Sequence, residues 1–136
     1  MALVPARTKY RKHQRRRLRG SAATGNTLMF GEFGLQAMET GFLSTNQVES
    51  ARKTLTHFFK RGGKVWLRLT ADKIVTSKAL GTRMGSGKGA PEGFVVPVRK
   101  GHIVFEVAGV SAVDAREAFR LARFKLPLTF RFMEKV

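Results

Sequence analysis

Residues 44–70, STNQVESARKTLTHFFKRGGKVWLRLT, change from helical to strand periodicity, and this change decides the fold class. Ser44 followed by Gln47 three residues later predicts a capping box at the start of a helix, with Thr45 as a competing cap. Apolar residues then recur at helical spacing and predict a buried face. Gly62-Gly63 predicts the end of this helix. The buried face consists of Val48, Ala51, Leu55, Phe58 and Phe59.

Residues 64–70, at the end of this stretch, alternate apolar and polar side chains. Val65, Leu67 and Leu69 fall on one face, which is typical of a half-buried strand. Trp66 falls on the other face, where packing at a sheet margin is favoured over stacking on RNA. The stretch therefore predicts a helix followed directly by a strand.

Two further strands are predicted on either side of this unit. Residues 27–38 are apolar around Gly31 and Gly34, and they predict a strand with a bulge or bend near these glycines. Residues 74–76 predict a second, shorter strand.

The C-terminal part of the chain predicts a hairpin, a helix and a strand. Residues 94–99 and 103–107 are two apolar runs, and the connection 100–102 predicts a hairpin between them. Ser111 predicts the cap of a second helix, which Pro127 ends, and residues 128–132 alternate as a last strand. This helix carries a basic ridge that faces either phosphates or solvent: Arg116, Arg120 and Arg123.

The order of these elements predicts an α+β fold. We expect two helices packed on a mostly antiparallel or mixed sheet, arranged as a sandwich. Residues 27–136 form the predicted globular domain, and residues 1–26 form a basic N-terminal arm.

Charge is the strongest compositional signal. The chain has 26 Lys and Arg against nine Asp and Glu, a formal net charge of +17 in 136 residues. Such a surface favours a polyanionic partner, either nucleic acid or an anionic membrane surface. The longest apolar stretches are of strand length, too short to span a membrane. With no Cys and three scattered His, the sequence predicts no metal site and no cofactor.

The arm has eight Lys or Arg between Arg7 and Arg19, and no acid occurs before Glu32. Without apolar periodicity it is expected to be extended and mobile in isolation, and to become ordered on RNA. A solvated tail and a mitochondrial transit peptide are the alternatives. The transit peptide is the least favoured, because contiguous charge, Pro5 and two glycines make a poor amphipathic helix.

Residues 77–93 form a long Gly-rich loop that carries Lys78, Arg83 and Lys88. Its centre resembles a phosphate-binding loop but lacks the glycine and the hydroxyl residue that the Walker pattern needs. No helix follows it, which also excludes a dinucleotide-binding turn. What remains is a flexible backbone able to approach RNA closely, or a mobile surface loop. No acid–base pair or metal cluster can be assigned, so no enzyme is predicted.

Six ordered pieces of sequence, spread over essentially the whole chain, resemble the large-subunit ribosomal protein L-sixteen family of bacteria and organelles. They are PARTKYRK at 5–12, FGEFGL at 30–35, KRGGKVW at 60–66, TRMGSGKGAPE at 82–92, FEVAGV at 105–110 and KLP at 125–127. The chain departs from the family in residues 70–79, where it lacks the usual prolines, and at Gly93-Phe94, where family members often have two aromatic residues.

The resemblance implies a hammerhead-type α+β fold and a structural role in the large ribosomal subunit. Members of this family bind large-subunit rRNA, lie near the tRNA acceptor arm at the A site and join the subunit late in assembly. They contribute no side chain to peptide-bond formation. The implied partners are rRNA, tRNA at the A site or P site and neighbouring ribosomal proteins. The implied location is the ribosome of a bacterial cytoplasm, a mitochondrion or a plastid.

The resemblance and the charge pattern together assign two sets of contact residues. The rRNA-binding residues are Arg7, Lys9, Arg11, Lys12, Arg15, Arg16, Arg17, Arg19, Lys60, Arg61 and Lys64. The residues of the tRNA-facing loop are Arg83, Met84, Gly85, Gly87, Lys88 and Gly89. The alternative function is a free nucleic-acid-binding regulator that is not stably held on the ribosome.

Overall fold

The structure, a computed structural model, describes residues 4–135. Within them it has two helices and seven strands, and every strand pair is antiparallel. The elements are β1 Phe33–Ala37, β2 Gly41–Ser44, α1 Thr45–Phe58, β3 Lys64–Leu67, β4 Lys73–Ser77, β5 Ala90–Val98, β6 Ile103–Ala108, α2 Ala112–Arg123 and β7 Phe130–Glu134. The α+β prediction is confirmed, with the strands divided between a four-stranded and a three-stranded sheet.

The four-stranded sheet has the order β3-β6-β1-β7. All five residues of β1, and all but the last residue of β6, are buried, because both faces of these central strands are covered. On one face Phe33 pairs with Val107 and Leu35 with Phe105, and these side chains join the helices in a single core. The opposite face carries Glu106, which is paired across the ladder with Trp66 of the edge strand β3.

Both helices begin at the predicted caps. The amide N–H of Gln47 donates to Ser44 Oγ (3.2 Å), and that of Ser44 donates to Gln47 Oε1 (2.9 Å), which confirms the capping box. Ser44 is also the last residue of β2, so no linker separates this strand from α1. The amide N–H of Asp114 donates to Ser111 Oγ (3.1 Å) at the start of α2. The helices pack on each other through residues that include Val48, Ala51, Leu55, Ala115, Ala118 and Phe119.

Both helices end earlier than predicted. α1 ends at Phe58 and α2 ends at Arg123, so neither Gly62-Gly63 nor Pro127 is the immediate terminator. Gly63 has a different role: a Cβ built on it would lie 2.8 Å from the carbonyl oxygen of Ala108. The glycine therefore lets the chain approach β6 closely as β3 begins.

The three-stranded sheet has the order β2-β5-β4. The pairing of β4 with β5 runs from Lys73 opposite Val95 to Ser77 opposite Ala90. The Gly-rich segment is therefore the connection of a β-hairpin. It covers residues 78–89 rather than 77–93, because both ends of the predicted loop belong to the paired strands.

The predicted hairpin of residues 94–99 and 103–107 is wrong. β5 belongs to the three-stranded sheet and β6 to the four-stranded sheet, so the connection passes between the sheets. The end of β1 holds this connection in place. The amide N–H of Gly101 donates to the carbonyl of Ala37 (2.7 Å), and that of Ala37 donates to the carbonyl of His102 (2.8 Å). A short polar connection between two apolar runs does not by itself distinguish a hairpin from a crossing between sheets.

The first predicted strand, residues 27–38, is too long by seven residues, six at its start and one at its end. Residues 27–32 lie against the open face of the four-stranded sheet, and only Phe33–Ala37 pairs as β1. A Cβ on Gly34 would collide with the side chain of Leu28, and one on Gly31 would lie 2.7 Å from the carbonyl oxygen of Val107. The two glycines thus permit close packing of this segment, and the register shift instead falls between Leu35 and Gln36.

A buried carboxylate fixes the segment. Glu106 is fully buried, and its side chain accepts hydrogen bonds from the amides of Met29 (3.1 Å), Phe30 (2.7 Å) and Gly31 (2.8 Å). The Arg68 guanidinium forms an ion pair with the same carboxylate. We call this arrangement of Glu106, Arg68 and the amides of residues 29–31 the Glu106 clasp.

The clasp determines the charge state of its carboxylate. Burial acts to raise the pKa of Glu106, but the amides of Gly31 and Phe30 and the Arg68 guanidinium outweigh burial and leave the pKa below its ordinary value. The side chain is therefore ionised at neutral pH and needs all of its partners, because a buried charge without them is strongly destabilising.

Replacing Glu106 with Ala is expected to lower the free energy of unfolding by about 3–5 kcal/mol, because Arg68 and three amides lose their shared partner. Since folding lowers the pKa of Glu106, its contribution is complete above its ordinary value of 4.5 and is lost as the pH falls through the lower folded value. Urea unfolding at several pH values measures both effects. The exposed Glu134→Gln variant is the control, and an equally small loss in both variants would contradict the assignment.

Candidate RNA interface

The predicted contact residues lie on the surface. Seven of the eight arm cations are exposed, and Lys12 is half-buried. Lys60, Arg61 and Lys64 are exposed, as are the loop residues except Gly89, which is half-buried. Ion pairs among residues 4–135 join Arg52 to Glu49, Arg68 to Glu106 and Arg120 to Glu117. None of them uses a predicted contact cation, so within these residues the charge of that set is not offset by a bridging acid.

The arm lies along the edge of the three-stranded sheet. Residues 4–26 have no helix or strand; Ser21 forms an isolated bridge with Lys100. The amide N–H of Ile74, on the edge strand β4, donates to His13 Nδ1 (3.2 Å). Lys73 Nζ donates to the carbonyl of Arg16 (3.1 Å). Residues 1–3 of the predicted arm lie outside the described residues.

His13 belongs to the contact between the arm and the sheet. It is half-buried, and its ring caps the edge of β4. The contacts use the imidazole ring and backbone carbonyl groups, so the guanidinium groups of Arg15, Arg16 and Arg17 are not consumed by them. His102, the last residue of the β5–β6 connection, is half-buried; burial and the nearby Arg68 lower its pKa, and it adds no charge at neutral pH.

The Gly-rich loop has an unusual backbone path. Gly85, Ser86 and Gly87 all have positive φ, at 106°, 58° and 86°, which only glycine adopts without strain. Lys78 Nζ donates to the carbonyl of Gly85 and steadies the turn from within. Met84 is 98% exposed beside Arg83, so the tip of the loop is open to solvent.

The arm and the loop meet, which the sequence did not predict. Lys12 Nζ donates to the carbonyl of Lys88 (3.0 Å), and Lys88 Nζ donates to the carbonyl of His13. A cavity of about 420 Å³ lies between arm, loop and sheet, lined in part by Arg15, Lys73 and Lys88. Residues assigned separately to rRNA and to tRNA therefore form one continuous basic surface, which we call the arm–loop surface. It comprises residues 7–19 and 78–89.

A second basic cluster lies at the C-terminal end of α1. Lys60 and Arg61 follow the helix with positive φ values of 48° and 65°, a conformation that costs non-glycine residues roughly 1–2 kcal/mol each. The amide N–H of Arg61 donates to the carbonyl of Thr56 (3.1 Å) and so holds this strained turn. The turn borders an open cleft of about 780 Å³ with Arg52, Lys53 and His57. Strain of this kind is typical of functional positions.

The spacing of basic residues along α1 is a sequence signal for this cluster, and the predicted rRNA-binding residues do not include those on the helix. Lys53, His57 and Arg61 are spaced by four residues, which places the first two on one face of α1 and directs that face toward the turn. The predicted ridge of α2 is exposed as expected, although Arg120 is paired with Glu117 and Arg116 lies over the Phe132 ring (5.2 Å).

Residues 4–135 were also searched for a metal site and for a membrane-spanning helix. No group of three or more His, Cys, Asp or Glu among them is placed to hold a metal ion. Neither of the helices found in this part of the chain is long and apolar enough to cross a membrane. The fold and surface define a class: a small α+β protein with outward-facing cations on an arm, a hairpin loop and a helix end, suited to a polyanionic partner.

Comparison with known proteins gives the family. The model of the ribosomal protein L16p/L10e family matches residues 5–133. The chain is 51% identical over 133 residues to the large ribosomal subunit protein uL16 of Streptococcus uberis, covering 98% of this chain and 97% of that protein. It is 53% identical over 131 residues to the uL16 protein of Trichodesmium erythraeum, covering 96% of each. The chain belongs to the ribosomal protein L16p/L10e family, whose members are structural components of the ribosome and not enzymes.

Replacing Arg61 with Gly is expected to raise the free energy of unfolding by about 0.5–1 kcal/mol. The change relieves the strain at positive φ, and this gain exceeds the additional backbone entropy that a glycine loses on folding. The same change is expected to weaken binding to large-subunit rRNA by removing a cation from the cluster. Thermal unfolding and filter binding measure the two effects. Arg61→Lys is the matched control, because it keeps both the charge and the strain. A Gly variant that is less stable than wild type would contradict the argument.

Proposed function

We propose that this chain is a structural constituent of the large ribosomal subunit that binds large-subunit rRNA and contacts tRNA near the A site. It also supports late assembly of the subunit and contacts neighbouring ribosomal proteins. The observation that carries the proposal is the arm–loop surface, in a chain whose relatives are named as large ribosomal subunit proteins. An exposed set of cations without bridging acids is the surface that a phosphate backbone requires.

The arm supplies the charge for rRNA binding. Each phosphate that a Lys or Arg neutralises releases counterions, which makes binding favourable and dependent on salt. Phosphate contacts position a protein but do not read a base sequence. Specificity therefore comes from the shape of the folded RNA, which the arm, the loop and the α1 turn contact at separate places.

Lys88 and Arg83 have different roles in the loop. Lys88 is engaged with the arm through the carbonyl of His13, so its role is to hold the base of the loop. Arg83 lies beside the fully open Met84 and is the cation placed to reach a tRNA backbone. The glycines around it allow that backbone to approach without side-chain obstruction.

Sedimentation of a native extract tests the proposed function as a whole. The protein is expected to travel with the large subunit and the assembled ribosome, and to remain there largely at high salt. Detection mainly at the top of the gradient would instead favour the free nucleic-acid-binding regulator.

Replacing Arg15, Arg16 and Arg17 with Ala is expected to weaken rRNA binding and flatten its salt dependence. Each lost phosphate contact removes roughly 0.7–0.9 from the slope of log K against log salt, so the triple variant loses up to about 2–3. Because the arm is held through backbone carbonyls and His13, the truncation leaves its contacts to β4 in place. Filter binding at several salt concentrations gives the slope.

A charge-matched control replaces Arg99, Lys125 and Lys135, which are exposed outside the arm–loop surface and the α1 turn. This variant has the same net charge as the arm variant and is expected to keep most of the wild-type slope. Equal slopes for both triple variants would mean that the arm acts only through net charge and is a solvated tail.

Replacing Arg83 with Gln is expected to reduce tRNA binding to reconstituted large subunits while rRNA binding stays close to wild type. A single charge-assisted contact contributes about 1.5–3 kcal/mol, so the loss is on the order of tenfold or more. Lys88→Gln is expected to affect both activities, because it frees the loop from the arm. Lys125→Gln is the control. Collapse of rRNA binding in the Arg83 variant would make the loop tip a docking element for rRNA.

A further inference from the structure

The face of the four-stranded sheet that carries the clasp also carries an aromatic pair, of which one ring is exposed and the other half-buried. Phe30 is 61% exposed and the adjacent Met29 is 63% exposed. The Phe30 ring lies 6.2 Å from the Trp66 ring, centroid to centroid, at an interplanar angle of 23°. Trp66 therefore packs at the sheet margin, as the sequence predicted, and Phe30 is the ring left open.

The exposed ring is held in place. The backbone amide of Phe30 and those of its two neighbours all donate to the buried carboxylate of Glu106. The Arg68 guanidinium, which is ion-paired with Glu106, also lies 5.0 Å from the centre of the Phe30 ring. An exposed aromatic side chain on a fixed backbone is preorganised for a flat partner, because little conformational freedom is lost on binding.

The surroundings of the ring favour a nucleic-acid partner over an apolar protein surface. Lys64 is exposed and shares its face of β3 with Trp66, and Arg68 directly follows the strand. The charge of Glu106 is buried and fully partnered, so it does not oppose a phosphate at the surface. The arrangement is an exposed ring with Lys64, which takes part in no ion pair among residues 4–135, on the same face; it suits a base for stacking on the ring and a phosphate for the cation.

We infer that Phe30, supported by Trp66 and Arg68, is a stacking site for one unpaired base of large-subunit rRNA. Unpaired bases in RNA loops and bulges are recognised by stacking on aromatic side chains in this way. Lys64 is placed to contact the phosphate of the same or the next nucleotide. The inference rests on the proposed rRNA binding and adds a contact that is separate from the arm–loop surface.

The test compares Phe30→Leu with Phe30→Tyr in binding to purified large-subunit rRNA. Base stacking on an aromatic residue corresponds to roughly 5- to 150-fold in affinity, and Leu loses it while keeping an apolar side chain. The Tyr variant keeps an aromatic ring and is expected to bind with wild-type affinity. If Phe30 only filled space with an apolar side chain, Leu would bind as well as Tyr. Val113→Ala, at a 79% exposed apolar position on α2, is the matched control.

The salt dependence separates this inference from the proposed function. Stacking carries no charge, so the Leu variant is expected to bind more weakly with an unchanged slope of log K against log salt. Wild-type affinity in the Leu variant would overturn the stacking site and leave rRNA binding standing. Absence of rRNA binding by the wild-type protein would overturn both.

A cross-linking measurement does not depend on affinity. p-Benzoylphenylalanine at position 30, in subunits reconstituted with the full chain, reports the group nearest to the ring. A cross-link to a single-stranded rRNA nucleotide is the expected result. A cross-link to a ribosomal protein would overturn the inference in favour of a protein partner.

Discussion

The carboxylate of Glu106 is the one group on which the arrangement of the four-stranded sheet and its covering segment depends. It is a full charge in the interior, so it must be satisfied, and its partners come from two distant parts of the chain. The amides of residues 29–31 and the side chain of Arg68 meet only there. One side chain thereby closes a face of the sheet that would otherwise remain open, and it places Phe30 and Arg68 at the surface.

The elements that sequence periodicity predicted are those decided by local interactions. The capping box of α1 and the apolar face beginning at Val48 depend on residues three or four apart, so the sequence contains all the information they require. The failures are non-local. The strand predicted from residue 27 is shorter because Glu106 binds the backbone of residues 29–31, and nothing near residue 27 indicates this. A single acid in the apolar run of β6 was the available signal.

The candidate surface was predictable in composition and not in geometry. Charge patterning identified the eight arm cations, and all but Lys12 are exposed. That Lys12 and Lys88, 76 residues apart, would join the arm to the loop depends on the β4–β5 hairpin and could not be inferred from spacing. The left-handed turn at Lys60 and Arg61 was likewise hidden, because the adjacent glycines appeared sufficient to end the helix. Backbone strain on charged residues has no signature in composition.

The direct junction of β2 and α1 at Ser44 fixes the distance between the two basic clusters. Ser44 ends a strand of the sheet that carries the arm–loop surface, and it also caps the helix that is followed by the turn at Lys60 and Arg61. With no linker at this point, neither basic cluster can move far without the other. The spacing of the two basic clusters is thus built into the fold, and a partner that contacts both at once must match that spacing.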